Sequence, residues 1–280
     1  MQPTLPRTNV IQHPGSFVFR PLQVKRAHHV APHLVRVTLG GPEARNITSY
    51  GMDDDIRIQI PEDFDAIPLP PVVHFNPLRL IYPDNAPPSQ MRAITIRRLD
   101  PDNEELDLEF VMHGEGIAAR WAAQATPGQH VNIGGPRTSK VLEGTFDSYL
   151  FIGDATALPA IGRYIESLPA GSRVIVVAEV ESPENALTWS TASDVDVTTT
   201  WLPHQHTGPD RSDSLEAAVH ALPRPAAPCF IFCAGESARV RQLRRQVIAD
   251  WNIDKRHLSF AGYWKRDDDT EEYFVEEEVS

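Results

Sequence analysis

Residues 91–98, Met-Arg-Ala-Ile-Thr-Ile-Arg-Arg, belong to the stretch from which the fold can be worked out. Side chains alternate across an extended strand, so its two isoleucines share one face with Arg92, while Thr95 lies on the other face. A turn sequence, Asp-Pro-Asp-Asn at 100–103, separates this segment from 106–113, where apolar and polar residues alternate again. We predict two antiparallel strands joined by a short loop.

A pair of glycines follows the second predicted strand. The sequence His-Gly-Glu-Gly at 113–116 leads into an alanine-rich segment at 117–125 that contains Trp121, which predicts a short helix. The first turn of a helix has unpaired backbone N–H groups and, beside arginines, can bind an anion. The glycine spacing is neither GxGxxG nor a P-loop, so taken alone it favours a turn without a ligand.

Further short strands with Gly and Pro turns surround this pair. They are predicted at 17–24, 34–39, 55–60 and 130–133, and the three isoleucines of 55–60 are expected to face inward. This pattern predicts a small antiparallel barrel. Segment 61–88 contains eight prolines and no periodicity, and we predict a surface insertion there rather than a substrate lid.

The second half of the chain alternates apolar strands with amphipathic helices. Strands are predicted at 149–153, 173–180, 195–201, 228–233 and 258–264, with helices at 157–168, from Ser212, and at 237–251. Such alternation predicts a parallel sheet with helices on both faces and ligands at the carboxyl ends of the strands. The expected fold class is therefore β + α/β.

Five segments of the chain resemble, in order, motifs of the siderophore-interacting proteins, and the overall match spans about 17–266. They are Arg92-x-x-Thr95-x-Arg97, His113-Gly-Glu-Gly-x-Ala-Ala-Arg-Trp121-Ala, Gly134-Gly-Pro-Arg137-Thr-Ser139, Gly153-Asp-Ala-Thr156 and Ala261-Gly-Tyr263-Trp264-Lys265-Arg266. That family consists of FAD-dependent ferric-siderophore reductases. The resemblance implies a ferredoxin-reductase-like chain, in which an FAD-binding antiparallel β-barrel precedes a parallel-sheet nucleotide-binding domain. The family usually has an aromatic residue at the position of Ile94.

The resemblance also implies roles for particular residues. Arg92 would bind the pyrophosphate of FAD through bidentate hydrogen bonds, and Thr95 would contact the flavin ring near its reactive nitrogen. The implied cofactor-binding set is Arg92, Ala93, Ile94, Thr95, Arg97, His113, Gly114, Gly116, Ile117, Ala118, Ala119 and Trp121, together with Asp154, Thr156 and Ala157 on the nicotinamide side. For Asp154 and Thr156, capping of the following helix explains the sequence equally well.

Three basic residues, Arg57, Arg137 and Lys265, are placed by the resemblance at the flavin edge, where they would attract an anionic ferric siderophore. The electron donor is expected to be NADH or NADPH, with ferredoxin as another possibility. Glu179 and Glu181 end a predicted strand, where an acid binds ribose hydroxyls and repels a 2′-phosphate, which favours NADH. One-electron reduction of iron requires no proton-transfer catalyst, and none is assigned.

Two other functions remain open: a general flavin or electron-transfer reductase, and a siderophore-binding protein without turnover. The histidines of His28-His29 and His204-Gln-His206 lie in predicted loops without a recognisable third ligand, so no structural metal is predicted. Cys229 and Cys233 are expected to be reduced core thiols.

The charge and composition of the chain exclude several further classes of function. The net charge is −12, but 267–280 contains eight acids and no Lys or Arg, so the rest of the chain carries only −4. Without a basic stripe, nucleic-acid binding is not expected. No apolar run is long enough to span a membrane, and no signal pattern begins the sequence, so we expect a cytoplasmic protein. We also expect a monomer. We expect an arm at 1–16, domains at 17–145 and 146–266, and an acidic tail at 267–280.

Overall fold

The computed structural model describes residues 6–13, 17–75, 78–112, 116–191, 194–203 and 214–265 of the chain. Their main elements are a closed antiparallel barrel and a five-stranded parallel sheet. This architecture confirms the predicted fold class. No helix within the described ranges has the length and apolar character needed to cross a membrane. The acidic segment 267–280 lies outside those ranges.

Six strands close the barrel, and each pairs antiparallel with its neighbours. In order around the barrel they are β2 (Phe19–Ala31), β3 (Leu34–Gly40), β8 (Glu105–Val111), β7 (Ser89–Asp100), β4 (Asp55–Pro61) and β9 (His130–Gly134). The predicted pair is β7 and β8, and the isoleucines of β4 are buried as expected. β2 is longer than predicted and contains His28 and His29, which are therefore not in a loop.

Helix α1 (Ile117–Ala123) follows β8 and packs against the barrel core. Its Trp121 side chain is fully buried and meets Phe110 edge to face, with ring centroids 5.5 Å apart. Burying an aromatic side chain of this size contributes roughly 1.5–3 kcal/mol. Helix α1 is thereby fixed relative to β8.

Segment 61–88 contains regular structure although its sequence shows no apolar periodicity, and the surface insertion stays a prediction. It contains a hairpin of β5 (Val72–Phe75) and β6 (Leu78–Ile81). Val73 and Leu80 pack on the apolar side chains of Phe17, Phe19 and Met91. Four-residue strands between prolines are too short to show an apolar period, which explains why the sequence pattern missed them.

The predicted N-terminal arm contains a strand as well. β1 (Arg7–Gln12) pairs antiparallel with β10 (Thr138–Glu143), the strand after β9. Most side chains of β1 are exposed, so no apolar alternation marks it in the sequence. The limits predicted for the arm, the two domains and the tail stay predictions.

The parallel sheet has the order β13-β12-β11-β14-β15. Its strands are β11 (Ser148–Gly153), β12 (Arg173–Val180), β13 (Asp196–Pro203), β14 (Cys229–Glu236) and β15 (Leu258–Trp264). Helix α2 (Leu158–Ser167) covers one face, while α3 (Ser214–His220) and α4 (Ser237–Trp251) cover the other. Both cysteines are buried free thiols, as predicted. The strand order reverses between β11 and β14, where ligands of such sheets bind.

Helix α2 also joins the sheet to the barrel. The Arg163 guanidinium donates to the carbonyl of Ile96 (3.0 Å) and to the Ser49 hydroxyl (3.1 Å). The Tyr164 hydroxyl donates to Asp53 at 3.1 Å. These contacts hold β7 and the segment before β4 against α2.

Candidate functional site

The outer face of the barrel supplies the first part of the site. Strand register places Arg57 of β4 directly between Ala93 of β7 and Gly134 of β9. Arg57 is half-buried and forms an ion pair with Asp55. A Cβ atom at Gly134 would lie 2.9 Å from the ring of Phe19, so the strands approach closely because this residue is glycine.

Arg92 precedes this row on β7. Its guanidinium donates to the Met91 carbonyl at 2.6 Å and to the Gln90 side-chain oxygen at 2.9 Å. These bonds orient the guanidinium along its own strand. Thr95, three residues further on, is only 7% exposed.

The beginning of α1 supplies the second part. No side chain caps this helix at Gly116, and a Cβ atom there would meet nothing within 4 Å. The indole Nε1–H of Trp121 is buried and, among the described residues, has no hydrogen-bond partner. Donors at an open helix start fit a bound anion. Ile117 and Ala119 are buried and Ala118 is half-buried, so their backbones rather than their side chains are suited to binding. His113 and Gly114 lie outside the described residues.

Arg97 does not join Arg92. Its guanidinium forms two hydrogen bonds to Glu166 of α2, at 2.9 and 2.5 Å, and lies 3.5 Å from a Glu109 oxygen. A Cβ atom at Gly162 would be only 3.4 Å from this guanidinium. Arg97 therefore links β7 to α2.

The switch point of the sheet supplies the third part. The Asp154 carboxylate caps the turn after β11 by accepting from the Thr156 N–H at 2.9 Å and from its hydroxyl at 2.5 Å. Its other oxygen accepts from the Trp264 indole at 2.8 Å. Gly235 has a φ of 148°, and a Cβ atom there would lie 2.6 Å from Asp154. Ala157 is fully buried, which leaves its side chain no contact with a ligand.

Glu179 does not lie open at the end of β12, as the ribose-binding prediction requires. It is 2% exposed, accepts from Arg239 at 2.6 Å, and also accepts from Ser214. Arg239 binds Glu216 as well, at 3.0 and 2.9 Å. Glu181 instead pairs with His33 of the barrel at 2.8 Å. The sequence pattern missed Arg239 because it lies on another element.

The end of β15 completes the site, and the sequence analysis assigned a role there to Lys265 but not to Tyr263. Burial raises the pKa of the Tyr263 hydroxyl, the nearby Asp53, Asp55 and Asp154 carboxylates raise it further, and Thr95 lowers it. A single hydroxyl is therefore close to side chains of the barrel and of the sheet. Lys265 is exposed directly after this strand.

The third basic residue, Arg137, follows β9. Its guanidinium lies 5.9 Å from the ring centroid of Phe17, a cation–π contact. Arg57 is on the neighbouring strand to the end of β9, so two of the three basic residues share one side of the barrel. No group of three His, Cys, Asp or Glu side chains in the described part of the chain could hold a metal ion.

The fold alone assigns the chain to a structural class, without reference to any sequence family. The flavohemoglobin of Malassezia yamatoensis, with bound FAD and heme, aligns over 88% of this chain and 60% of its own, with a TM-score of 0.57 at 12% identity. The ferredoxin reductase in carbazole 1,9a-dioxygenase aligns over 88% and 68%, with a TM-score of 0.60 at 14% identity. At such identities the likeness concerns the fold alone, which is that of ferredoxin reductases.

The chain belongs to the siderophore-interacting protein family. Residues 23–140 match the siderophore-interacting FAD-binding domain, and residues 146–267 match the siderophore-interacting protein domain. The chain is similar to the NADPH-dependent ferric-chelate reductase of Escherichia coli K12, with 29% identity over 88% of this chain and 92% of that protein. The ferric vibriobactin reductase ViuB of Vibrio cholerae is 28% identical over 93% and 94%.

A solved structure supports the same assignment. The siderophore utilization protein from T. fusca has a TM-score of 0.81 and 28% identity, covering 93% of this chain and 97% of its own. The resemblance drawn from the motifs is thereby confirmed, and the barrel is an FAD-binding domain by family.

A substitution at Ile94 tests whether this part of β7 lies beside the flavin. It is half-buried, pairs across with Ile56 and packs against the barrel core. We expect Ile94→Tyr to lower the free energy of unfolding by about 1 kcal/mol and to retain FAD, because the larger ring can extend toward the open side. Ile96→Tyr is the matched control, since Ile96 is completely buried and overpacking there should cost about 1–3 kcal/mol. Equal losses of stability in thermal melts would contradict this placement.

Proposed function

We propose that the chain is an FAD-dependent ferric-siderophore reductase, which passes electrons from NADH, NADPH or a small protein such as ferredoxin to Fe(III) held by a siderophore. The observation that carries the proposal is the meeting of two elements at one point. Arg163 of α2 donates to the carbonyl of Ile96 on β7 at 3.0 Å, and Ser259 of β15 donates to Asp53, just before β4, at 3.2 Å. In this arrangement a flavin bound to β7 lies beside the crevice expected to hold a nicotinamide.

The residues present fit FAD. Arg92 would bind the pyrophosphate, with the backbone N–H groups after Gly116 supplying further donors at the uncapped start of α1. Ala93 lets the ligand approach the strand, and Thr95 would face the flavin ring. FAD supplies the chemistry, because it accepts two electrons from a nicotinamide and releases them singly.

Asp154, Thr156 and Ala157 would border the nicotinamide through the turn that they form after β11. Glu179 does not favour NADH over NADPH, since Arg239 neutralises that carboxylate. The relative from Escherichia coli is named as NADPH-dependent. We therefore propose a nicotinamide donor without choosing between the two, and ferredoxin as the alternative donor.

A ferric siderophore is the proposed substrate, in a cytoplasmic monomer. Bulky anionic chelates need basic groups near the flavin edge, and Arg57, Arg137 and Lys265 supply them. The chain's task is to position the chelate and attract its charge. No side chain is required to move a proton.

Replacing Arg137 and Lys265 together with Ala should slow electron transfer to an anionic ferric siderophore and leave reduction of the flavin by nicotinamide nearly unchanged. Long-range attraction causes part of the effect, so the difference should shrink at high salt, where the screening length falls from about 10 Å at 0.1 M to about 3 Å at 1 M. Stopped-flow measurement of the two half-reactions checks this. Arg224→Ala and Arg241→Ala, both exposed on the parallel-sheet half, form the control pair. Equal slowing of both half-reactions would remove the basic residues from the substrate site.

The function itself is tested by anaerobic reoxidation. Purified protein should be yellow, be bleached by NADH, NADPH or dithionite, and be reoxidised by a panel of ferric siderophores. Reoxidation by quinones or free flavins but not by ferric chelates would favour a general flavin reductase. A colourless protein that binds ferric siderophores and no FAD would favour the binding protein.

A further inference from the structure

Two segments flank the switch point of the parallel sheet: the turn that leads from β11 into α2, and the beginning of α4 after β14. In dinucleotide-binding sheets, the pyrophosphate of the ligand accepts hydrogen bonds from backbone N–H groups at such a position. A carboxylate side chain stands at each of the two positions in this chain. Asp154 precedes the turn after β11, and Glu236 precedes α4.

Both carboxylates already accept from a backbone N–H group of the segment that follows them. Asp154 accepts from the N–H of Thr156, and Glu236 accepts from the N–H of Arg239, each at 2.9 Å. The beginning of α1 differs, since no described side chain caps it at Gly116. At the switch point the protein therefore places its own negative charges where the pyrophosphate of a dinucleotide would lie.

The same two carboxylates line a small cavity beside Gly235. Arg239 lines it as well, but its guanidinium already binds Glu179 and Glu216, at 2.6 and 2.9 Å. Counted over the described residues, the cavity and the groups bound to its arginine present four carboxylates and one guanidinium. A phosphate group that enters here meets an excess of negative charge, and like-charge repulsion and desolvation both oppose its binding.

We propose that Asp154 and Glu236 determine how the electron donor binds: they exclude its pyrophosphate from the switch point and admit its nicotinamide ring, which carries no negative charge. The inference rests on the proposed function, since it requires a nicotinamide donor beside the flavin. The pyrophosphate of NADH or NADPH then lies outside the crevice, and the two carboxylates weaken the binding of both donors.

The test measures the dissociation constant of ADP-ribose, which carries the pyrophosphate without the nicotinamide, by titration calorimetry on the FAD-loaded protein. Glu236→Gln removes one charge but keeps an oxygen for the Arg239 N–H, and it should tighten ADP-ribose binding about three- to tenfold. The KM for NADH should fall by a similar factor. Reduction of the flavin by benzyl dihydronicotinamide, which has no phosphate, should be unchanged. Unchanged or weaker binding of ADP-ribose to Glu236→Gln protein would overturn the inference.

A second variant and a distant control complete the design. Asp154→Asn removes the other charge, and the double variant should bind ADP-ribose more tightly than Glu236→Gln alone. Glu236→Gln is the deciding variant, because Asp154 also accepts from the Trp264 indole. Asp254→Asn is the matched control: Asp254 caps the turn before β15, at the opposite edge of the sheet, by accepting from the Arg256 N–H at 2.9 Å.

The control variant should bind ADP-ribose as the wild-type protein does. Equal tightening in Asp254→Asn and Glu236→Gln would overturn the inference, because it would show an effect of total charge alone. The proposed function fails in a different way, which the wild-type protein reveals. If its flavin is reduced by neither NADH, NADPH nor benzyl dihydronicotinamide, the nicotinamide donor is refuted, and the inference with it.

Discussion

Arg239→Ala is expected to lower the free energy of unfolding by roughly 3–5 kcal/mol, because it leaves two buried carboxylates without their cation. Glu179 and Glu216 have side chains only 2% and 7% exposed, and Arg239 accounts for three of their hydrogen bonds. The melting temperature should fall by roughly 10 °C, as followed by circular dichroism.

Two variants distinguish charge from packing in this result. Arg241→Ala removes the same side chain from an exposed position two residues along α4 and should change stability by less than about 0.5 kcal/mol. Combining Arg239→Met with Glu179→Gln and Glu216→Gln removes all three charges and should recover much of the loss. A triple variant as unstable as Arg239→Ala would show that packing, and not charge, dominates.

Arg92→Ala is expected to weaken FAD binding about ten- to a hundredfold. The guanidinium would lose a charge-assisted bond to the pyrophosphate, which contributes roughly 1.5–3 kcal/mol. The measurement is the flavin content of the purified variant, followed by titration of deflavinated protein with FAD. The melting temperature of the FAD-free variant is measured as well, so that a loss of FAD can be told apart from a loss of folding.

Gln90→Ala gives a graded control for that result. It removes the side-chain oxygen that accepts from Arg92 but keeps the charge, so FAD affinity should fall by less than with Arg92→Ala. Arg241→Ala, far along the sequence on α4, should leave FAD affinity unchanged. Full flavin content in Arg92→Ala protein would rule out its assignment to the pyrophosphate.

Much of the secondary structure follows from the sequence pattern. The alternation at 91–98 and 106–113 identifies β7 and β8, and the apolar period at 237–251 gives the limits of α4. The sequence pattern does not reveal the hairpin of β5 and β6, because its strands show no apolar periodicity. The hairpin is stabilised instead by packing on Phe17, Phe19 and Met91. The sequence pattern also does not reveal strand β1, because a mostly exposed strand needs no apolar face.

The sequence by itself determined the order of elements, the β + α/β class and the family, because alternation and glycine-marked turns are local properties of the chain. Only the tertiary structure decided which charged and polar side chains are already bound to other side chains of the protein. Arg97 binds Glu166, 69 residues away, and Glu179 binds Arg239, 60 residues away. Coulombic and hydrogen-bonding contacts depend on distance in space, so no local pattern reveals which of these side chains remain available to a ligand.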